Sequence, residues 1–176
     1  RMITNHHCGF SAIQEHSSVE HDYLSDGFWA YKMEDELTNP GITASILERM
    51  EDVTERVNAV LNDDMSTMER EIALDSISSL IVKEATENTD LSGQVISMFE
   101  GNQYFLFLYT IYKDVRLVGA PPQSLGKFGG DTDNWIWPRH TCDFSMFRIY
   151  TGPDGRPAEY SKDNIPLKPK HHLPVS

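Results

Sequence analysis

No stretch of this 176-residue chain approaches the roughly 18 to 20 consecutive apolar residues that a membrane-spanning helix needs, so a membrane is not expected as a partner. Basic residues are scarce: 15 Lys and Arg stand against 27 Asp and Glu, a net charge of −12. Phosphate binding needs clustered Lys and Arg, so nucleic acid is not expected as a partner either, and the acidity reads as a solubility device. Two cysteines, Cys8 and Cys142, are too few to indicate a redox compartment. No Cys-x-x-Cys or His-Glu-x-x-His spacing is present, so nothing in the pattern supports a metal site. Internal repeats and low-complexity tracts are also lacking, and Arg1 is not expected to be a natural beginning.

What is there describes a folded domain. Hydrophobic residues make up 39% of the chain and aromatics 10%, enough to bury a core at this length. Residues 1 to 33 mix strand and loop signals, with a turn at Asp26-Gly27 ahead of the aromatic run Phe28-Trp29-Ala30-Tyr31. After a break at Asn39-Pro40-Gly41, residues 42 to 50 read as a strand. Two helices follow. Asp52 caps the first, near 52 to 61, with Val53, Val57, Val60 and Leu61 on one face. A Ser66/Glu69 capping box opens the second, near 66 to 88, whose stripe of Met68, Ile72, Ile77, Leu80 and Ile81 is expected to pack on the domain.

From residue 94 the period becomes that of β structure. Strands are expected at 94–100 and 103–112, joined by a Gly101-Asn102 turn, and again at 115–118 and 144–151. Gly152-Pro153-Asp154-Gly155 closes the last of these, and the Pro- and Lys-rich tail from Asn164 reads as irregular.

The residues that could carry chemistry fall in two blocks. Thr4-Asn5-His6-His7-Cys8 follows a short apolar start, Met2-Ile3. Far downstream comes Gly129-Gly130-Asp131-Thr132-Asp133-Asn134-Trp135-Ile136-Trp137-Pro138-Arg139-His140-Thr141-Cys142-Asp143-Phe144-Ser145. A histidine that takes a proton from a nucleophile needs a carboxylate to fix its tautomer and to stabilise the imidazolium. From the residues alone, His6 and His7 compete for the first role, and Asp131, Asp133 and Asp143 for the second. An Asn side-chain carbonyl can accept hydrogen bonds from a substrate ammonium, and an adjacent Trp can wall such a pocket.

Together the two blocks resemble the bacterial serine dipeptidyl-peptidases of types 7 and 11, and the resemblance runs from Thr4 to Pro174. It implies a mainly β fold with a helical insertion at about 52–90, part of a chymotrypsin-like double β-barrel and specifically its N-terminal barrel portion. It implies removal of dipeptides from peptide N-termini by a His-Asp-Ser triad. His7, directly before the cysteine, matches the general base, and Asp143, in Cys-Asp-Phe-Ser, the carboxylate. Asn134 and Trp135 match the pair that receives the α-ammonium about 7 Å from the scissile carbonyl; Trp137 reads as packing, and Gly126, Gly129 and Gly130 as tight bends.

The family's serine and oxyanion hole lie far beyond residue 176, so residues 1–176 are expected to be a partial peptidase domain, an internal fragment. Acidic versus hydrophobic substrate specificity is therefore not carried by this stretch. The resemblance implies no cofactor, a peptide N-terminus as partner, a homodimeric full-length enzyme, and a periplasmic or secreted location. If His7 and Asp143 meet, so do Cys8 and Cys142, expected as buried free thiols, with a disulfide as the alternative in an oxidising compartment. The rival readings are a zinc site drawn among His6, His7, Cys8, His16, His21, His140 and Cys142, and a non-catalytic interaction module.

Overall fold

The computed structural model describes residues 2–127 and 141–169. Its elements, in chain order, are strand β1 (Met2–Thr4), helices α1 (His6–His16) and α2 (Tyr23–Asp26), strands β2 (Phe28–Trp29), β3 (Leu37–Thr38) and β4 (Ala44–Asp52), helices α3 (Thr54–Asn58) and α4 (Thr67–Thr86), strands β5 (Ser92–Met98), β6 (Gln103–Tyr112) and β7 (Val115–Ala120), helix α5 (Gln123–Gly126), and strands β8 (Ser145–Thr151) and β9 (Ile165–Pro166). The chain divides into two compact units, residues 1–44 with 112–176, and residues 45–111. The framework is β-sheet with helices attached.

In the first unit the strands follow the order β1-β8-β7-β2, with β3 also paired to β7 and β9 to β8; among the described residues this sheet does not close. Strands β7 and β8 are its centre, because every other strand pairs with one of them. Val115, Leu117, Ala120 and Phe147 from these strands pack with Ala12 and Ile13 of α1 and with Phe28. The sequence pattern gave no helix over residues 6–16. His-His-Cys-Gly-Phe-Ser is poor in strong helix formers, but the Asn5 side chain caps the helix by accepting the Cys8 N–H, and packing of Ala12 and Ile13 supplies the rest. Tertiary burial here overrides a weak local propensity.

Two buried charge groups hold β7 and β8. Asp114 takes a two-pronged hydrogen bond from Arg116 at 2.9 and 2.7 Å and another from Asn164 Nδ2 at 2.8 Å, while the guanidinium lies 3.8 Å over the Tyr150 ring. Glu36 accepts from Arg148 Nε at 2.7 Å and from the Tyr150 hydroxyl at 2.8 Å. Burying such groups is tolerable only because each is paired in this way.

The second unit is the three-stranded antiparallel sheet β4-β6-β5, on which Val57 of α3 and Ile81 of α4 are fully buried. The Ser66/Glu69 capping box forms as expected. Asp52 accepts the Thr54 N–H at 2.9 Å, although the cap position itself is Val53. The packing stripe of α4 is a correction: Leu74, Ile77, Ile81, Val82 and Ala85 face the core, while Met68, Ile72 and Leu80 are exposed. The β5–β6 connection is also longer than a Gly101-Asn102 turn, because Phe99, Glu100 and Gly101 all take positive φ. The tail is not wholly irregular, since Ile165 and Pro166 pair with Thr151 and Tyr150.

Burial and the hydrogen bond to Glu36 push the Tyr150 phenol up to about 12. The folded chain therefore keeps this proton while the unfolded chain releases it near the ordinary value, and stability falls as pH rises from about 10 to 12. In urea unfolding followed from neutral pH upward, the stability gap between wild type and Tyr150→Phe is expected to narrow across that window. A gap that stays constant would contradict it.

Candidate active site

The register of β1 on β8 assembles the site. Thr4 lies opposite Ser145, so the chain leaving β1 into α1 and the chain entering β8 run side by side. At the start of α1 the His6 N–H donates to Asp143 Oδ1 at 2.7 Å, a contact between residues 137 apart in sequence. A carboxylate at the first turn of a helix is favoured both by the free N–H groups and by the helix dipole.

His6 is itself fully buried. Its Nε2 meets the Pro121 carbonyl at 3.2 Å; a carbonyl can only accept, so Nε2 carries the proton, and Nδ1 has no partner among the described residues. The His6 carbonyl accepts the Ser145 hydroxyl at 3.2 Å. Gly126 lies against the ring so closely that a Cβ there would stand 2.3 Å from His6 Cδ2. Gly126 therefore serves close approach rather than the tight bend expected of it. Gly9 plays the same part in α1, where a Cβ would meet Ser145 Oγ at 2.6 Å.

His7 is exposed, on the next position of the helix. Among the described residues its ring makes no hydrogen bond or ion pair with Asp143, whose carboxylate is engaged by the neighbouring His6 amide. The structure thus brings the acid to the turn that carries His7 but not into a bond with its imidazole. Asn134 and Trp135 lie outside the described residues, as do Asp131, Asp133, Trp137, His140, Gly129 and Gly130. The residues flanking that segment are joined: Thr141 Oγ1 donates to the Leu125 and Gly126 carbonyls at 2.8 and 3.1 Å, and the Cys142 N–H donates to Leu125 at 2.9 Å.

Both cysteines are free thiols. Cys8 Sγ is 3.2 Å from Thr4 Oγ1, and Cys142 is exposed rather than buried. Among the described residues no three His, Cys, Asp or Glu side chains are grouped to hold a metal ion, and no helix is long and apolar enough to cross a membrane. What the sequence does not indicate is the hydrogen-bonding part played by His6, Ser145 and Pro121, although His6 is a candidate for the base. Their signals were faint, because each acts through a backbone group or a buried contact rather than through a motif.

The described residues thus place a histidine pair at the start of a helix, with a distant aspartate bound at the same turn. The chain belongs to the Peptidase S46 family, which matches residues 2–176. It is 51% identical over 175 residues to an Asp/Glu-specific dipeptidyl-peptidase of Flavobacterium psychrophilum, covering 99% of this chain and 24% of that protein. It is 49% identical over 181 residues to dipeptidyl-peptidase 7 of Phocaeicola vulgatus, covering 99% of this chain and 25% of that protein. The crystal structure of Porphyromonas endodontalis DPP11 in complex with the dipeptide Arg-Glu superposes with a TM-score of 0.84 at 47% identity, over 98% of this chain and 26% of that one. The chain therefore spans about a quarter of the length of these relatives.

The contact between Gly126 and His6 is directly testable. Gly126→Ala is expected to destabilise the chain by about 1 to 3 kcal/mol, the usual cost of overpacking, read as a lower urea midpoint. An unchanged midpoint would show that the ring moves aside freely.

Proposed function

We propose that the full-length protein is a serine-type dipeptidyl-peptidase that removes dipeptides from peptide N-termini, with His7 as general base and Asp143 as the carboxylate that orients it. The observation that carries this reading is the 2.7 Å bond from the His6 amide to Asp143, which fixes an acid beside the residue expected to be the base. Among the three aspartates that compete on sequence grounds, the contact of Asp143 with the His6 amide supports its choice. Membership of Peptidase S46, and relatives named for dipeptidyl-peptidase activity, support the reaction class.

In this reading the nucleophilic serine and the oxyanion hole come from sequence beyond residue 176. His7 takes the serine proton as the hydroxyl attacks the scissile carbonyl, then delivers it to the leaving amine. Asp143 holds Nδ1–H and stabilises the imidazolium. One Asp143 oxygen already accepts the His6 amide, which fixes the carboxylate and leaves the other for His7. Asn134 accepts the substrate's α-ammonium and Trp135 walls its pocket, which sets the cut two residues from the N-terminus. The open sheet of the first unit is read as part of the first barrel of a chymotrypsin-like pair, and residues 45–111 as an insertion in it. The full-length enzyme is read as a homodimer, periplasmic or secreted. Relatives of both specificity names match this stretch almost equally, at 51% and 49% identity, in keeping with a specificity determinant located elsewhere.

The test uses the full-length enzyme and the isolated 176-residue chain together. The isolated chain is expected to release no dipeptide, since it has a base and an acid but no nucleophile. In the full-length enzyme, Asn134→Ala is expected to lower kcat/KM about 10- to 150-fold, the loss of one charge-assisted hydrogen bond of roughly 1.5 to 3 kcal/mol. N-acetylation of the substrate should impose a similar loss on the wild type but little on the variant. Fully additive penalties would remove Asn134 from the ammonium site, and unimpaired cleavage of acetylated peptides would remove the exopeptidase assignment.

A further inference from the structure

We infer that His6 is a positioning residue for the catalytic pair, acting through its backbone N–H on Asp143 while its ring locks that N–H in place; the inference rests on the proposed triad. Both polar backbone groups of this residue hold the stretch 143–145, and one ring nitrogen holds Pro121. The N–H goes to Asp143 Oδ1 at 2.7 Å, the carbonyl receives Ser145 Oγ at 3.2 Å, and Nε2 bonds the Pro121 carbonyl at 3.2 Å. The ring face is closed off by Gly126, which leaves no room for a Cβ. The ring is buried although Nδ1 finds no partner among the described residues, an arrangement that pure packing would not select. What the arrangement achieves is aim. With the ring wedged, the first N–H of α1 cannot swing, and the carboxylate that it holds stays beside the first turn, one residue from His7.

The position permits an unusually clean test. His6 is the first residue of α1 after the Asn5 cap, where proline fits a helix. Asn5 has φ −70° and ψ 164°, the extended conformation that a residue before proline prefers. His6→Pro therefore removes the N–H together with the ring, whereas His6→Ala removes the ring alone. His6→Gln can return a donor toward Pro121.

In the full-length enzyme, with dipeptide release as the assay, His6→Ala is expected to lower kcat several-fold with KM little changed, and His6→Gln to recover most of the loss. His6→Pro is expected to fall roughly tenfold or more below His6→Ala, the effect of one hydrogen bond to a charged group. It should also move the acid limb of the kcat/KM profile to lower pH, because the His7 imidazolium loses its oriented carboxylate; a smaller folded fraction would scale the profile without moving it. Equal kcat and equal acid limbs in His6→Pro and His6→Ala overturn the inference. If His6→Pro does not fold, an ester in place of the amide between Asn5 and His6 removes only the N–H, keeps the ring, and is read in the same way against wild type. His7→Ala separates the two levels. If it retains wild-type activity the triad reading fails, whereas its inactivity beside wild-type-like His6 variants sinks the role of His6 alone.

Discussion

A single hydrogen bond, from the His6 amide to Asp143, joins two parts of the sequence 137 residues apart and defines the site. It depends on register. Thr4 pairs with Ser145 across β1 and β8, so the helix that begins at His6 and the residue two places before β8 are forced together. A one-residue slip would turn Ser145 to the other face of the sheet and end its bond to His6, and Asp143 would no longer meet the helix start. The small residues around the contact are part of the same constraint. Gly9 and Gly126 are glycine because a Cβ at either position would occupy the space of Ser145 or of the His6 ring.

The rigidity behind that register comes from the far end of the same strand. Arg148 and Tyr150 of β8 are bound to Glu36, and Tyr150 is stacked under Arg116, which is itself fixed by Asp114. Removing one partner of a buried pair of this kind typically costs about 3 to 5 kcal/mol, more than a loop contact could compensate. Strand β8 thus carries the contact to His6 at its first residue, Ser145, and charged anchors toward its other end. The candidate site and the buried charge groups share one strand.

Much of this was legible in the sequence and some was not, for identifiable reasons. The strands at 103–112 and 145–151, the Ser66/Glu69 capping box and the turn at residues 152–155 follow local rules, and local rules suffice for them. Helix α1 was missed because its stability comes from Ala12 and Ile13 packing on the sheet, which no short-range pattern reports. The stripe on α4 was half right: Ile77 and Ile81 pack, whereas Met68, Ile72 and Leu80 share the apolar character but are exposed. At the candidate site, the choice of Asp143 rests on a resemblance, since three aspartates sit in one block. The part played by His6 was invisible, because a backbone N–H has no sequence signature.

Whether Asp143 serves His7 as well as His6 is tested most directly by proton NMR of the full-length protein. An imidazole Nδ1–H donated to a carboxylate resonates far downfield of ordinary amide protons. Such a resonance is expected, lost in both His7→Ala and Asp143→Ala and retained in His16→Ala, which changes an imidazole that among the described residues bonds its own helix at Ala12. A downfield proton that survives Asp143→Ala, or none at all in the intact protein, would contradict a bond between Asp143 and His7.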